Sequence, residues 1–174
     1  MITISDNTAT NMLIERLGGL EVLNQQFQSW GLKDTVINNN LPDLEGTNTS
    51  SAKDLVNLMS QIDRAGLVSL KSRDRILHIM ELTENNTLLP QGLESGAIIA
   101  HKTGTLNSLL ADVGSIDLSN GQRYIIAVMV KYSGKQRAGE KLIKDISSMT
   151  SQYFLGNSIS TKPSPTSSPK PGKL

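Results

Sequence analysis

The sequence predicts an α/β fold of the α+β type, an antiparallel sheet flanked by helices. Three observations carry that expectation. Before residue 97, apolar residues recur at helical spacing. From 97 to 131 they gather into three short strand-like runs, and beyond Arg137 the helical spacing returns. The third run, Tyr-Ile-Ile-Ala-Val-Met-Val from Tyr124, is apolar on both faces, so a sheet containing it must be covered on each side. At 174 residues the chain suits one domain with a substantial core.

The elements follow in order. Ala9, Met12, Leu13 and Leu17 mark one face of a first helix, stopped by Gly18-Gly19. Leu20, Leu23, Phe27 and Trp30 mark a second helix ending at Gly31. Residues 33–50, with three successive asparagines and Pro42, read as a loop. Ser51 and Asp54 form a capping-box pattern ahead of Leu55, Met59 and Ile62, with Gly66 as the stop. Ser72 is expected to cap a fourth helix carrying Ile76, Leu77 and Met80.

Strands are expected at Ala97–Lys102, Leu109–Ile116 and Tyr124–Lys131, with an Asn120-Gly121 turn between the last two. A final helix, Arg137–Phe154, offers Ala138, Leu142, Ile146, Met149 and Tyr153 as its apolar stripe. From Gly156 the composition turns to Ser, Thr, Lys and Pro, which cannot offset the entropy of ordering. Residues 1–155 are therefore expected to form the domain, and 156–174 a disordered tail.

Composition removes several function classes. A net charge of +1 provides no field for nucleic acid or an anionic membrane. With no cysteine, thiolate metal sites and a cysteine nucleophile are excluded. No apolar run approaches the ~20 residues of a membrane span. Met1 to Ser5 lacks the basic and apolar regions of a signal peptide. Read literally, the chain is not exported.

Two short motifs remain. Ser5-Asp6-Asn7 precedes the first helix, and Lys102-Thr103-Gly104 ends the first expected strand. At average residue usage the pair arises by chance in about one chain in a thousand. Such motifs accompany serine-dependent opening of lactam amides. The stretch from His101 to Leu106, followed by Ala111-Asp112-Val113-Gly114, adds to the pattern.

By these residues the chain resembles the class A β-lactamases and the wider penicillin-recognising serine hydrolases, from Ser5 to about Phe154. The resemblance implies a β-lactamase/transpeptidase-like fold that uses no metal or cofactor. Its substrate would be a β-lactam or a small molecule like a peptidoglycan stem peptide. Ser5 would relay a proton to the departing nitrogen, with Lys102 as the fixed positive charge beside it. Asn7 would hold the substrate's side-chain amide, and Asp6 would pin the loop through backbone hydrogen bonds. Thr103 and Thr105 would bind the substrate carboxylate, and the Thr105 N–H would form half of an oxyanion hole. Gly104 would let substrate backbone lie against the strand. Arg137 is the candidate for a carboxylate-binding arginine. His101, on the opposite face from Lys102, is expected to be a packing or surface residue, as is His78.

The pattern also departs from the family. Its Ser-x-x-Lys nucleophile motif stands upstream of Ser-Asp-Asn, where only four residues precede Ser5 here. Ser50-Ser51-Ala52-Lys53 matches the letters on the wrong side, and Ser167-Ser168-Pro169-Lys170 does so in the tail. The chain is thus expected to be a C-terminal part, truncated at the N-terminus and inactive alone. Its third strand would be an open edge that pairs with the missing N-terminal segment, and the full-length parent would be periplasmic or extracytoplasmic. Class A enzymes carry a glutamate before proline in the loop at 33–50. Here Leu41-Pro42-Asp43-Leu44-Glu45 puts Leu41 at that place, which implies slow deacylation. A D-alanyl-D-alanine peptidase and a non-catalytic domain of the same fold are the alternative readings.

Overall fold

Residues 1–156 are described by a computed structural model of the chain; the expected tail lies outside them, except that Gly156 closes the last helix. The first helix, α1 (Asn7–Arg16), starts at Asp6, whose carboxylate accepts the Ala9 N–H at 2.6 Å. It ends before Gly18, which adopts φ +105°. The face expected to be buried is not: Met12, Leu13 and Leu17 are exposed, and Ile14 is the buried residue. Helix α2 (Gly19–Ser29) follows directly and rests against α1.

Residues 33–50 wrap the surface as an irregular loop, pinned by one bridge between Val36 and Thr49. Helix α3 (Ala52–Asp63) begins with Ser51 accepting the Asp54 N–H. The reciprocal half of the expected capping box is absent. The buried Asp54 carboxylate instead accepts from the Asp34 N–H at 2.7 Å and the Thr35 hydroxyl at 2.8 Å, tying the loop to the helix. Helix α4 (Leu70–Glu81) is capped by Ser69, not Ser72, because the Ser69 hydroxyl accepts the Ser72 N–H.

The sheet has the order β1 (Ile98–Leu106), β2 (Leu109–Asp117), β3 (Arg123–Lys131), all antiparallel. β1 runs four residues past its expected end. Lys102-Thr103-Gly104 therefore lies within the strand, because the ladder to β2 continues through Gly104–Ala111 to Leu106–Leu109. Between β2 and β3, Gly121 takes φ +82° where a side chain would be strained.

Both faces of the sheet are covered, as the apolar third strand requires. On one face Ala100 and Val113 pack with Met59, Leu77 and Met80 of α3 and α4, joined by Ile125 and Ala127. On the other, Leu110, Val128 and Val130 pack with Leu88, Leu89 and Ile143. Each fully buried Leu, Ile, Val or Met among them contributes roughly 1.5–3 kcal/mol by leaving water.

Helix α5 (Gln136–Gly156) covers that second face, and of the expected stripe Ile146 packs against its core while most of the rest does not. Gly139, Ile143, Ser147 and Ser151 are buried, while Leu142, Met149 and Tyr153 are exposed. Small residues let the helix come close. A Cβ on Gly92, in the 3-10 turn Leu89–Gly92, would lie 2.4 Å from the Lys144 carbonyl oxygen, and the Ser147 hydroxyl donates to the Leu89 carbonyl. The spacing of large apolar residues therefore pointed mostly to the exposed face, with Ile146 the exception. Among the described residues no helix is long and apolar enough to cross a membrane.

Candidate functional site

The turn before α1 brings Ser5 to the surface in an uncommon conformation. Ser5 has φ +55°, which for a residue with a Cβ costs on the order of 1 kcal/mol and persists where neighbours over-determine it. Two bonds hold the turn: the Asp6 N–H donates to the Met1 carbonyl, and the Glu84 N–H donates to the Thr3 carbonyl at 3.0 Å. Asp6 faces into the helix as its cap, its carboxylate accepting the Ala9 N–H within α1. Asn7 is the first residue of α1 and faces the same cleft as Ser5.

Lys102 arrives from the middle of β1. Its Nζ donates to the Ser5 Oγ at 2.8 Å and to the Thr103 carbonyl at 2.6 Å. Burial lowers its proton affinity below that of an ordinary lysine, and the negative charge of Asp112 partly restores it. Because Ser5 accepts from the ammonium, its own O–H is left to point at a third group. A proton can then leave through Ser5 while Lys102 replaces it. That is the chemistry of general-acid delivery to a departing amine.

The cleft around the pair measures about 560 Å³ and is lined by Thr3, Ile4, Ser5, Asn7, Lys102, Thr103 and Thr105, together with Glu84 and Asn85. The strand's pleat explains the threonines. In an antiparallel ladder, alternate residues direct their N–H and C=O away from the partner strand. The His101 carbonyl accepts the Thr83 hydroxyl from outside the sheet, so Thr103 and Thr105 present their backbone groups to that same side. Gly104 is exposed and paired with Ala111.

Of the residues singled out from the sequence, Ser5, Asn7, Lys102, Thr103 and Thr105 come together around the cleft. Arg137 does not line it; it is exposed in the first turn of α5. Ser51 of the downstream Ser-x-x-Lys match is occupied as the α3 cap, and the Ser50 hydroxyl meets the Thr35 hydroxyl at 3.0 Å. His78 is a surface residue. His101 is buried as expected on the opposite face from Lys102, yet it is more than packing. Its Nδ1 lies 2.9 Å from Asp112 Oδ1, and Asp112 Oδ2 accepts the Leu89 N–H at 3.1 Å. Glu84 and Asn85 carried no motif, and only the fold of the segment after α4 brings them to the cleft.

The loop at 33–50 answers the question posed by Leu41. The Asn11 side chain holds the Leu41 backbone at both ends, donating to its carbonyl at 2.6 Å and accepting its N–H at 2.9 Å. Asp43 is buried and turned into the loop, where the Asn48 N–H holds its carboxyl below the usual range. Glu45 is exposed. Neither acid lines the cleft.

Comparison with known proteins identifies the family. A model of the β-lactamase enzyme family matches residues 1–154. Among curated proteins, the chain is 28% identical over 168 residues to the extended-spectrum β-lactamase PER-1 of Pseudomonas aeruginosa, covering 88% of this chain and 54% of that protein. It is 31% identical over 172 residues to β-lactamase VEB-1 of Pseudomonas aeruginosa, covering 88% of this chain and 57% of that one. Among solved structures, PBP-A superposes with a TM-score of 0.87 at 56% identity, over 90% of this chain and 59% of that chain. A leucine-to-glutamate variant of PBP-A is similar to the same degree, with a TM-score of 0.87, and was solved as an acyl-enzyme complex with penicillin G. A class A β-lactamase from Bacteroides cellulosilyticus gives 0.82 at 27% identity, over 90% of this chain and 61% of that chain. The chain thus spans little more than half the length of the curated relatives it matches.

Proposed function

Because the chain belongs to the β-lactamase enzyme family, we propose that its cleft is the proton-delivering and carboxylate-binding half of a site that opens β-lactam amides through an acyl-serine. The carrying observation is the 2.8 Å bond from Lys102 Nζ to Ser5 Oγ, in a cleft that Thr103 and Thr105 also line. A tetrahedral intermediate expels its nitrogen only when a proton reaches it, and Ser5 is placed to pass one on from Lys102. Lys102 also supplies a positive charge for an anionic substrate, in an environment where water screens it less than in bulk. Asn7 and the outward N–H of Thr105 complete the polar wall.

On this reading the acyl-accepting serine lies in the part of the relatives' length that this chain does not span. A parent carrying that part should be acylated by a fluorescent penicillin. Ser5→Ala and Lys102→Ala should each slow acylation by about 10²–10⁴-fold, the range of general acid–base catalysis. The 174-residue chain alone should leave a chromogenic cephalosporin intact. Turnover by that chain, dependent on Ser5, would sink the proposal.

A second reading is favoured by Leu41, which stands at the expected place of the deacylating base with its backbone held by Asn11. The parent would then release its acyl group slowly and act as a penicillin-binding D-alanyl-D-alanine peptidase. The lifetime of the acyl-enzyme on the parent separates the readings: hours for the peptidase, seconds or less for the hydrolase. We further propose that, in a parent carrying the part of the relatives' length that this chain does not span, a segment of that part pairs along β3, whose outer side carries no strand among the described residues.

A further inference from the structure

We propose that Thr83, anchored by the buried His101–Asp112 pair, is a positioning residue that holds Ser5 against Lys102 and sets where the open edge of β1 begins. The observation is a closed ring of covalent and hydrogen-bonded links. From Lys102 the ring runs to Ser5 through the 2.8 Å bond, back along the turn to Thr3, and across to Glu84, whose N–H donates to the Thr3 carbonyl. Glu84 is joined to Thr83, whose hydroxyl donates to the His101 carbonyl at 2.7 Å, and His101 is joined to Lys102. Every segment that carries a cleft residue before β2, apart from α1 itself, belongs to this ring.

Burial makes the Thr83 link strong. Thr83 is 4% exposed, so water cannot replace its partner at the His101 carbonyl. Across the sheet from it, His101 and Asp112 are 1% and 0% exposed and face each other at 2.9 Å. Asp112 also takes the Leu89 N–H, and the Leu89 carbonyl takes the Ser147 hydroxyl, so β1 is fixed in height against α5 as well. The ring therefore has a rigid side and a strained side, the strained side being Ser5 at φ +55°. A residue in that conformation needs such over-determination.

Thr83 has a second consequence. Its hydroxyl covers the outer edge of β1 at His101 and nowhere further along. The next two outward-facing residues, Thr103 and Thr105, are those that line the cleft. The cover from Thr83 ends at His101, and the next outward carbonyl, that of Thr103, is held by Lys102 Nζ at 2.6 Å.

The inference rests on reading Ser5 and Lys102 as a proton-handling pair, but its test reads geometry rather than turnover, so each can fail without the other. In NMR spectra of the 174-residue chain, the Thr83 hydroxyl proton should be visible through slow exchange, and the Lys102 ε-protons should show a nuclear Overhauser effect to the Ser5 β-protons. Thr83→Val, which keeps the shape and removes the hydroxyl, should abolish that effect while far-UV circular dichroism is unchanged. Thr83→Ser should restore it, and Asp112→Asn should weaken it at least twofold. A Thr83 hydroxyl in fast exchange with water overturns the proposal even if Thr83→Val does not fold. So does a Thr83→Val chain that keeps the effect, or a Thr83→Ser chain that folds without it.

Discussion

At Lys102 two opposing influences act on one ammonium group: burial disfavours its charge, and Asp112 favours it, with burial the larger. The sign of the stability effect follows. The folded pKa lies below the unfolded value of 10.5, so the folded state carries a penalty at neutral pH that is relieved as pH rises toward 10.5. Lys102→Met should therefore raise Tm at pH 7, with the gain fading toward pH 10.5; a lower Tm at pH 7 contradicts this. Tyr124 acts in the other direction. Burial pushes its phenol up to about 12, so the unfolded chain releases that proton first and stability falls from pH 10 upward. Tyr124→Phe should flatten the alkaline limb of a Tm–pH profile, and an unchanged limb would exclude Tyr124 as its source. The sequence made Lys102 legible because its motif is short and local. It hid Asp112, whose influence on Lys102 needs the register that sets Asp112 opposite Thr103.

At the scale of elements, the loop 33–50 and the 3-10 turn Leu89–Gly92 are irregular segments made definite by single polar or small residues. Asp43 clamps the loop through the Asn48 N–H, and its lowered pKa means this stabilisation is present above pH 3.8 and lost as pH falls below it. Limited proteolysis between 38 and 48 should therefore accelerate below pH 3.8, and Asp43→Asn should be cut faster than the parent at pH 7. Equal rates at pH 7 would show the clamp to be dispensable. In the turn, Gly92→Ala would force a Cβ to within 2.4 Å of backbone on α5, which cannot yield without moving the helix. It should cost about 2 kcal/mol, read as a lower urea midpoint; an unchanged midpoint would mean the turn is free to shift. The capped start of α3 was readable in the sequence at Ser51, whereas at α4 the expected Ser72 gave way to Ser69 three residues earlier. The buried face of α5 was not readable, because Gly139, Ser147 and Ser151 are buried by close approach and serines carry no hydrophobic signal.

Over the whole molecule, the described residues leave apolar side chains exposed at many points, among them Met12, Leu13 and Leu17 along α1 and Leu142, Met149 and Tyr153 along α5. Exposed apolar residues and an open strand edge are sites where chains associate. The 174-residue chain should therefore show concentration-dependent association in sedimentation velocity, and Leu142→Glu with Met149→Glu should reduce it. A monomer at all concentrations would argue that these faces need no cover. By itself the sequence determined the fold class, the three strands, the two chemical motifs and their order, since spacing and residue type are local properties of the chain. Only the tertiary structure decided that a hydroxyl and an ammonium 97 residues apart share one hydrogen bond, that Arg137 stays outside their cleft, and that Thr83, His101 and Asp112 stand behind it. Those facts depend on strand register and on which helix face is buried, and both are settled by the packing of the entire chain at once.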